Sequence, residues 1–126
     1  MPTIQAHATT TGAFNSSDRY CCRIVIPSTH KLTGAALQVQ NVVLTGTVTV
    51  LLKQTDPGDA RGGSTIDTLA GSDFTAAASL CQKVTFDLSS YRSTAPEDRQ
   101  YFLVMTATDS ADRLDEPVLV LTYTEV

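Results

Sequence analysis

The sequence predicts an all-β domain, an antiparallel β-sandwich of jelly-roll type with seven or eight strands. Two observations support this fold class. Short apolar segments alternate with polar residues at every second position, and turn-forming residues separate those segments. In addition, no long window repeats its apolar residues at the helical spacing of about 3.6. Many short strands with almost no helix are typical of a sandwich or a barrel.

The chain length of 126 residues predicts a single domain that spans residues 1–126. A domain of this size buries roughly two-thirds of the surface that its unfolded chain exposes, so it needs no metal or disulfide to form a core. Hydrophobic residues make up 42% of the chain and charged residues 17%. This composition is globular and excludes a disordered chain.

Alternating segments predict most of the strands. They are residues 3–10, 19–27, 37–40, 47–53 and 84–88. In the fourth segment, for example, Val48, Val50 and Leu52 share one face. Residues 101–105 and 118–121 are instead apolar at consecutive positions. We therefore expect these two strands to be covered on both sides.

The connection 54–82 is long for so small a domain, and it is rich in Gly, Ser, Thr and Asp. Such connections are usually functional or contain a small strand, and residues 65–69 are the segment in which we expect one. Ser72 or Asp73 can cap a short helical turn, which we predict at residues 76–78.

The charge distribution argues against two classes of partner. The net charge is −4, and the nine Lys and Arg residues are scattered rather than gathered in a basic stripe. Nucleic acid and anionic membrane surfaces are therefore not expected partners. The start of the chain has neither a basic leader nor an apolar run, so we expect no signal peptide and synthesis in a cytoplasm, with release possible by lysis.

Three cysteines are present, an odd number. Cys21 and Cys22 are adjacent in a predicted strand, so their side chains are expected on opposite faces and one at most can reach Cys81 from the core. We predict buried or half-buried free thiols. A zinc site would need further ligands at CxxC-type spacing, which the sequence lacks.

Catalytic motifs are missing from the sequence. His7 and His30 lie near no obvious nucleophile, and there is no GxSxG elbow. We therefore predict a protein without enzymatic activity, while a triad built from distant segments stays an alternative.

Two segments are rich in carboxylates, and they contain Asp56, Asp59, Asp67 and Asp73, then Asp109, Asp112, Asp115 and Glu116. Calcium binds such loops, but the spacing of a calcium loop is missing. We predict solvated turns, with calcium as the alternative and with no metal or cofactor assigned.

Aromatic side chains test for carbohydrate binding. The chain has no Trp, and most of its rings fall at predicted core positions, namely Tyr20, Phe86, Tyr101, Phe102 and Tyr123. Tyr91 and Phe14 are expected near loops. Two isolated rings make a poor sugar platform, so carbohydrate recognition is the second choice.

The N-terminal residues 1–14 are the best candidate for a docking strand or arm. The segment 3–14 contains no Lys or Pro, the residues that usually protect an edge strand from pairing with another chain. We predict that it docks on a neighbouring protein by β-augmentation. The predicted partner-binding residues are Thr3, Ile4, Gln5, His7, Thr9, Thr11 and Phe14. The alternative is an ordinary surface strand of the same domain.

From about residue 39 onward, the order of segments resembles a recurring jelly-roll module. The strand 47–52 is followed by a long loop, then by Val84-Thr85-Phe86-Asp87-Leu88, by Tyr101-Phe102-Leu103-Val104-Met105 and by a closing apolar strand. Similar modules occur in carbohydrate-binding-like domains and in accessory virion proteins of tailed bacteriophages. A free-standing domain without Trp and without an export signal favours the second group.

This resemblance implies a capsid decoration (cement) protein that binds and stabilises a phage shell. The implied partner is the major capsid protein or another virion protein, the implied location is the virion, and a homo-oligomer, a trimer by analogy, is expected. A head–tail or tail-surface protein and a glycan-binding module are the alternatives. A small hydrolase that depends on His7 or His30 is a third hypothesis.

Overall fold

The computed structural model describes residues 3–9, 13–14, 19–55, 64–89, 91 and 99–125. Over these residues the chain forms nine β-strands and one short 3-10 helix. The strands are β1 (Thr3–Thr9), β2 (Ala13–Phe14), β3 (Arg19–Ile26), β4 (His30–Val43), β5 (Val48–Thr55), β6 (Ser64–Ala70), β7 (Gln82–Thr85), β8 (Arg99–Ala107) and β9 (Arg113–Glu125). The 3-10 helix is Gly71–Asp73.

The strands form two antiparallel sheets that face each other. The larger sheet has the order β1-β9-β4-β7, and the smaller sheet has the order β3-β8-β5-β6. Strand β2 also pairs with β9, opposite Leu114 and Asp115. At these residues β4 pairs with the other edge of β9, so β2 lies on the same edge as β1. Because β2 therefore continues the edge position of β1, the described strands fill eight positions. The predicted jelly-roll sandwich is confirmed.

Strand β4 is much longer than the predicted segment 37–40. Its pairing with β9 shifts register three times, between Leu32 and Gly34, between Gln38 and Gln40, and between Gln40 and Val42. The first and the third shift each add a residue to β4 and so reverse which of its side chains face the core, whereas the second adds a residue to β9. The period-two pattern that reveals β4 is therefore interrupted twice. The sequence pattern was visible only in the regular stretch between the shifts.

The core lies between the sheets and is built from the predicted alternating segments together with the consecutively apolar segments 101–105 and 118–121. The fully buried side chains include Leu37, Leu119 and Leu121 of the larger sheet and Val50, Leu52, Leu103 and Met105 of the smaller sheet. Burial of each such side chain contributes about 1.5–3 kcal/mol relative to exposure. The alternating and the consecutively apolar segments therefore supply the main stabilisation of the fold together.

Strand β8 is buried on both faces over residues 101–105, as predicted. Leu103 and Met105 point into the core, whereas Phe102 and Val104 lie on the opposite side and still expose only 6% and 4% of their surface. In β9, residues 119–121 are buried and Val118 is half-buried. The prediction of covered strands is confirmed for 101–105 and largely holds for 118–121.

The predicted helical turn at residues 76–78 is wrong. The 3-10 helix lies earlier, at Gly71–Asp73, where Asp73 Oδ2 accepts a hydrogen bond of 2.8 Å from Ala70 N. Ala77 instead pairs with Val42 through N–O distances of 3.0 and 3.1 Å. The edge of β4 beyond β7 offers main-chain groups that need partners, and this long-range pairing prevails over the local preference of alanine for helix. The small strand expected at 65–69 is confirmed as β6.

Two turns lock together at one end of the sandwich. The β4–β5 turn contains Gly46, and the β8–β9 turn contains Thr108 and Asp112. Thr47 N donates a 2.8 Å hydrogen bond to Thr108 Oγ1, and Gly46 N donates one to Asp112 Oδ1, also at 2.8 Å. A Cβ atom on Gly46 would clash with Thr108 Oγ1 and would lie 2.9 Å from Asp112 Oδ2. Only glycine therefore fits this contact.

Gly46→Ala is expected to destabilise the fold by about 1–3 kcal/mol, because the added methyl group forces the two turns apart. Gly71→Ala is the matched control, since its Cβ would meet its nearest neighbours at 3.7 Å, an ordinary contact. The control is expected to change stability by no more than about 0.5 kcal/mol. Urea unfolding measures both, and equal stability of the two variants would contradict the close contact at Gly46.

Candidate functional site

The predicted docking segment is an edge strand of its own domain. Strand β1 pairs antiparallel with β9, from Thr3 opposite Thr124 to Thr9 opposite Val118. It holds the predicted residues Thr3, Ile4, Gln5, His7 and Thr9. Phe14 lies in β2, opposite Leu114, and Thr11 lies outside the described residues. Docking of this edge on a neighbouring protein stays a prediction.

The two sides of β1 have different surroundings. Ala6 and Ala8 pack against the core, and Ile4 shares that side but lies near the strand end, where it is 39% exposed. The other side faces away from the core and carries four of the predicted residues, all exposed, namely Thr3, Gln5, His7 and Thr9. The strand therefore brings these four together and separates Ile4 from them.

The pairing register extends this outward side across the larger sheet. Opposite residues of an antiparallel pair project to the same face, so His7, Val120 of β9 and Ala36 of β4 form one row on this face. We call this surface the β1 face. It comprises Thr3, Gln5, His7 and Thr9 of β1, Val118, Val120, Thr122 and Thr124 of β9, Lys31, Gly34, Ala36 and Gln38 of β4, and Lys83 and Thr85 of β7. Its centre is tightly covered, because Val120 and Ala36 expose 5% and 6% of their surface.

The two histidines do not come together. His7 lies opposite Val120 and His30 opposite Glu125, so about 17 Å of strand β9 separates them. The His30 ring packs edge-on against Tyr123, with ring centroids 5.3 Å apart. Within the part of the chain that the structure describes, no group of three His, Cys, Asp or Glu side chains is arranged to hold a metal ion.

All three cysteines are free thiols. Cys22 is buried, and its Sγ lies 3.5 Å from Pro117 O, to which it donates a weak hydrogen bond. Cys21 is half-buried, so the prediction holds for this adjacent pair. It is wrong for Cys81, which is exposed because it lies in the connection just before β7 rather than in a strand.

Asp112 is completely buried, which contradicts the predicted solvated turn. Burial by itself would raise the pKa of its carboxyl group. Three main-chain N–H groups outweigh that effect, those of Thr45 at 2.5 Å, Gly46 at 2.8 Å and Asp109 at 3.1 Å, and the pKa of Asp112 lies below its usual value. The carboxylate is therefore an internal anchor for two turns.

Asp115 is also buried, with 7% of its surface exposed. Arg113 binds it through two hydrogen bonds of 2.8 Å each, and Asn41 Nδ2 donates a third at 3.1 Å. Hydrogen bonding to Asp115 raises the pKa of Arg113. The predicted solvated turn is thus wrong here as well, since this carboxylate is fully engaged by protein donors.

Asp109 is a turn residue, as predicted, whereas Asp67 lies within strand β6 and Glu116 within β9. Asp67 Oδ2 accepts a 2.8 Å hydrogen bond from Asp87 N, and Asp109 Oδ1 accepts one from Ala111 N at 2.8 Å. Asp87 Oδ1 accepts from Ser89 N, and this bond lowers the pKa of Asp87. Asp56 and Asp59 lie outside the described residues.

Tyr91 belongs to an internal hydrogen-bond network. Its hydroxyl lies 2.7 Å from the Tyr101 hydroxyl and donates to Gln54 Oε1 at 3.0 Å. Tyr101 is 1% exposed and Gln54 9% exposed, so the network is largely shielded from water. The core positions predicted for Phe86 and Tyr101 are confirmed. Phe102 is buried on the outer side of β8, Tyr123 is half-buried, and the side chains of Phe14 and Tyr20 lie outside the described part of the structure. The hydroxyl of Tyr91 is therefore bonded within the protein, while Tyr91 as a whole is half-buried.

An open groove of about 430 Å³ lies between the start of β5 and the end of β6. Its lining consists of Leu44, Gly46, Thr47, Val48, Thr49, Ala70, Gly71, Ser72 and Phe74. The volume is within the range of small-molecule sites. However, none of these lining residues carries a charge, and the ring of Phe74 is 6% exposed. The sequence did not indicate this groove, because it arises from the pairing of distant segments.

Comparison with known proteins shows the fold. No protein-family model matches the chain, and no curated protein matches it. Among solved structures, the CBM36-1 domain of a multidomain xylanase from the hindgut metagenome of Trinervitermes trinervoides is similar, with a TM-score of 0.60 and 13% identity over 94% of this chain and 96% of that chain.

A chain of the acid-stable capsid structure of Helicobacter pylori bacteriophage KHP30 is also similar. Its TM-score is 0.54 and its identity 14%, over 97% of this chain and 90% of that chain. The fold is thus shared with a carbohydrate-binding module and with a chain of a viral capsid. In the described part of this chain, no helix is both long enough and apolar enough to cross a membrane.

Asp112→Asn is expected to lower the melting temperature at pH 7 by about 5–10 °C, because an amide cannot accept the three N–H bonds that the carboxylate accepts. Folding lowers the pKa of Asp112, so its stabilising contribution is present above the ordinary carboxyl pKa of about 3.9 and is lost as the pH falls through the lower folded value. The difference in melting temperature between wild type and Asp112→Asn should therefore become smaller below about pH 4.

Asp73→Asn serves as the control, since Asp73 is exposed and accepts a hydrogen bond from Ala70 N. The melting temperatures of wild type, Asp112→Asn and Asp73→Asn are measured between about pH 3 and about pH 7, a range that includes the titration of a carboxyl group. An Asp112→Asn gap that stays constant across this range would show that the charge of Asp112 is not what holds the turns.

Proposed function

We propose that the chain is a non-enzymatic virion structural protein, a capsid decoration protein that binds and stabilises a phage shell. The observation that carries this proposal is the similarity to a chain of the KHP30 capsid structure, which extends over 97% of this chain and 90% of that one. The two chains are therefore of similar length, and that sandwich is present in a capsid structure with little additional sequence. A small domain of this fold suits a shell accessory.

The surface of the molecule supports binding rather than chemistry. The buried carboxylates Asp112 and Asp115 are saturated by hydrogen bonds from the protein itself, and the hydroxyl of Tyr91 is bonded internally. His7 of β1 and His30 of β4 lie opposite residues of β9 that are far apart along that strand. What the described residues offer to a partner is a broad strand face and the edge of β1.

The proposed mechanism is mechanical. Each copy buries strand-face and edge surface against neighbouring shell subunits, which adds free energy that opposes their separation. Many weakly bound copies act together through avidity. The proposal includes a homo-oligomer, a trimer at three-fold positions, with the major capsid protein as partner, synthesis in the host cytoplasm and a final location on the virion.

A carbohydrate-binding role has less support. The likeness to the CBM36-1 domain concerns the fold. The open groove has no exposed aromatic ring among its lining residues, and the hydroxyl of Tyr91, the ring expected to stack on a sugar, is bonded within the protein. A tail-surface role would use the same fold but a much smaller number of copies.

Particles of the virus that encodes the chain are expected to contain it at on the order of hundreds of copies, because a decoration protein covers the whole shell. Quantitative gel or mass-spectrometric analysis of purified particles measures the copy number. Particles that lack the gene should open at lower temperature, and wild-type protein added back should restore their stability.

A handful of copies would instead indicate a tail or head–tail component and contradict decoration. Absence from particles together with retention on a glycan array would favour the carbohydrate-binding alternative.

A further inference from the structure

The β1 face is rigid and made of compact side chains. Its middle rows consist of β-branched and small residues, among them Val118, Val120 and Thr122 of β9 and Ala36 of β4. Such side chains have few rotamers to lose, so covering them costs little conformational entropy. The sheet beneath them is held by the β4–β9 and β1–β9 ladders. The face is therefore prepared for docking without rearrangement.

The charge of this face opposes that of the whole molecule. The chain has a net charge of −4, yet the outward positions of the β1 face contain the exposed cations Lys31 and Lys83 and no carboxylate. Exposed carboxylates lie at the borders of this face: Glu116 is in the irregular stretch between Asp115 and Val118, Asp87 follows the end of β7, and Glu125 follows Thr124. The positive charge is therefore confined to the rows that contain Lys31 and Lys83. An acidic protein surface complements a face of this charge.

The size of the face argues against a second copy of this chain as its occupant. Four strands at about 4.8 Å spacing and seven residues at about 3.4 Å each give roughly 450 Å². A stable pair of proteins needs roughly 800 Å² on each side. Packing two such faces together would also bring like charges near each other. A small face of this kind suits a large partner that presents many identical sites, since avidity then compensates for weak single contacts.

We infer that the β1 face docks on a flat, acidic surface of the shell protein, with the smaller sheet turned away from the shell. This inference rests on the proposed decoration function and adds to it the docking surface and the charge of its partner. The predicted β1 residues Thr3, Gln5, His7 and Thr9 form one side of the surface. Val120 and Ala36 lie at its centre but are only 5% and 6% exposed, so the surrounding side chains make the contact.

Gln38 allows a matched test, because it is exposed on the β1 face opposite Lys83. The side chains introduced by Gln38→Glu and Gln38→Lys are of similar size and carry opposite charges. Thr68→Glu is the control, since Thr68 is exposed on β6 of the smaller sheet. Binding of each purified variant is measured on shells prepared from particles that lack the gene, and thermal unfolding confirms that each variant is folded.

Gln38→Glu is expected to weaken binding about tenfold. Thr68→Glu should bind as well as wild type, and Gln38→Lys should bind as well as wild type or better. Higher salt should weaken wild-type binding. If both Gln38 variants weaken binding equally, the face docks but its partner is not acidic, and the inference is overturned. If neither has an effect, the β1 face is not the docking surface.

Failure of the proposed function gives a different result, because wild-type protein would then not bind the shells at all. In that case the inference fails together with the function on which it rests. Binding by wild type that none of the Gln38 substitutions alters would reject the docking surface alone and leave decoration in place.

Discussion

The fold depends on the pairing of β9 along both of its edges. This strand pairs with β1 and β2 on one side and with the long β4 on the other. Its inward residues Leu119 and Leu121 are fully buried in the core, while its outward residues Val118, Val120 and Thr122 form the middle of the β1 face. One strand therefore stabilises the sandwich and at the same time supplies the surface through which we propose that it acts.

Polar groups that could have formed a reactive site are used to hold the ends of the sandwich. The buried carboxylate of Asp112 binds the main chain of the β4–β5 turn, and Asp115 is bound by Arg113 and Asn41. Asn41, next to these groups, has a left-handed φ of 49°, and Glu116 one of 50°. Asn adopts this conformation at low cost, which allows β4 and β9 to change register together. The consequence is a rigid scaffold with a flat face.

The strands were largely predictable from the sequence, because alternating residues such as Val48, Val50 and Leu52 report their burial directly. The prediction fell short wherever a distant segment determined the local structure. Strand β4 extends well beyond its predicted part because pairing with β9 absorbs three register shifts. The helical turn expected at 76–78 was replaced by pairing of Ala77 with Val42. These partners are not encoded by any local pattern.

The same limit applies to the candidate site. The outward residues of β1 were recognised from their own alternation. Their neighbours Val120 and Ala36 follow from the pairing of His7 with Val120 and of Val120 with Ala36, which joins distant parts of the chain, and no local pattern indicates it. The burial of Asp112 likewise depends on Thr45 and Gly46, which lie in another connection. Tyr91 was expected near a loop, and no local pattern indicated that its hydroxyl bonds to Tyr101.

A cryo-electron microscopy reconstruction of the intact particle tests most directly whether the β1 face is the docking surface. The expected map shows the outer side of the sheet β1-β9-β4-β7 in contact with acidic side chains of the shell, and the sheet β3-β8-β5-β6 facing solvent. A map in which the smaller sheet or the Asp112 turns contact the shell, or in which the chain is absent from the shell, would contradict this.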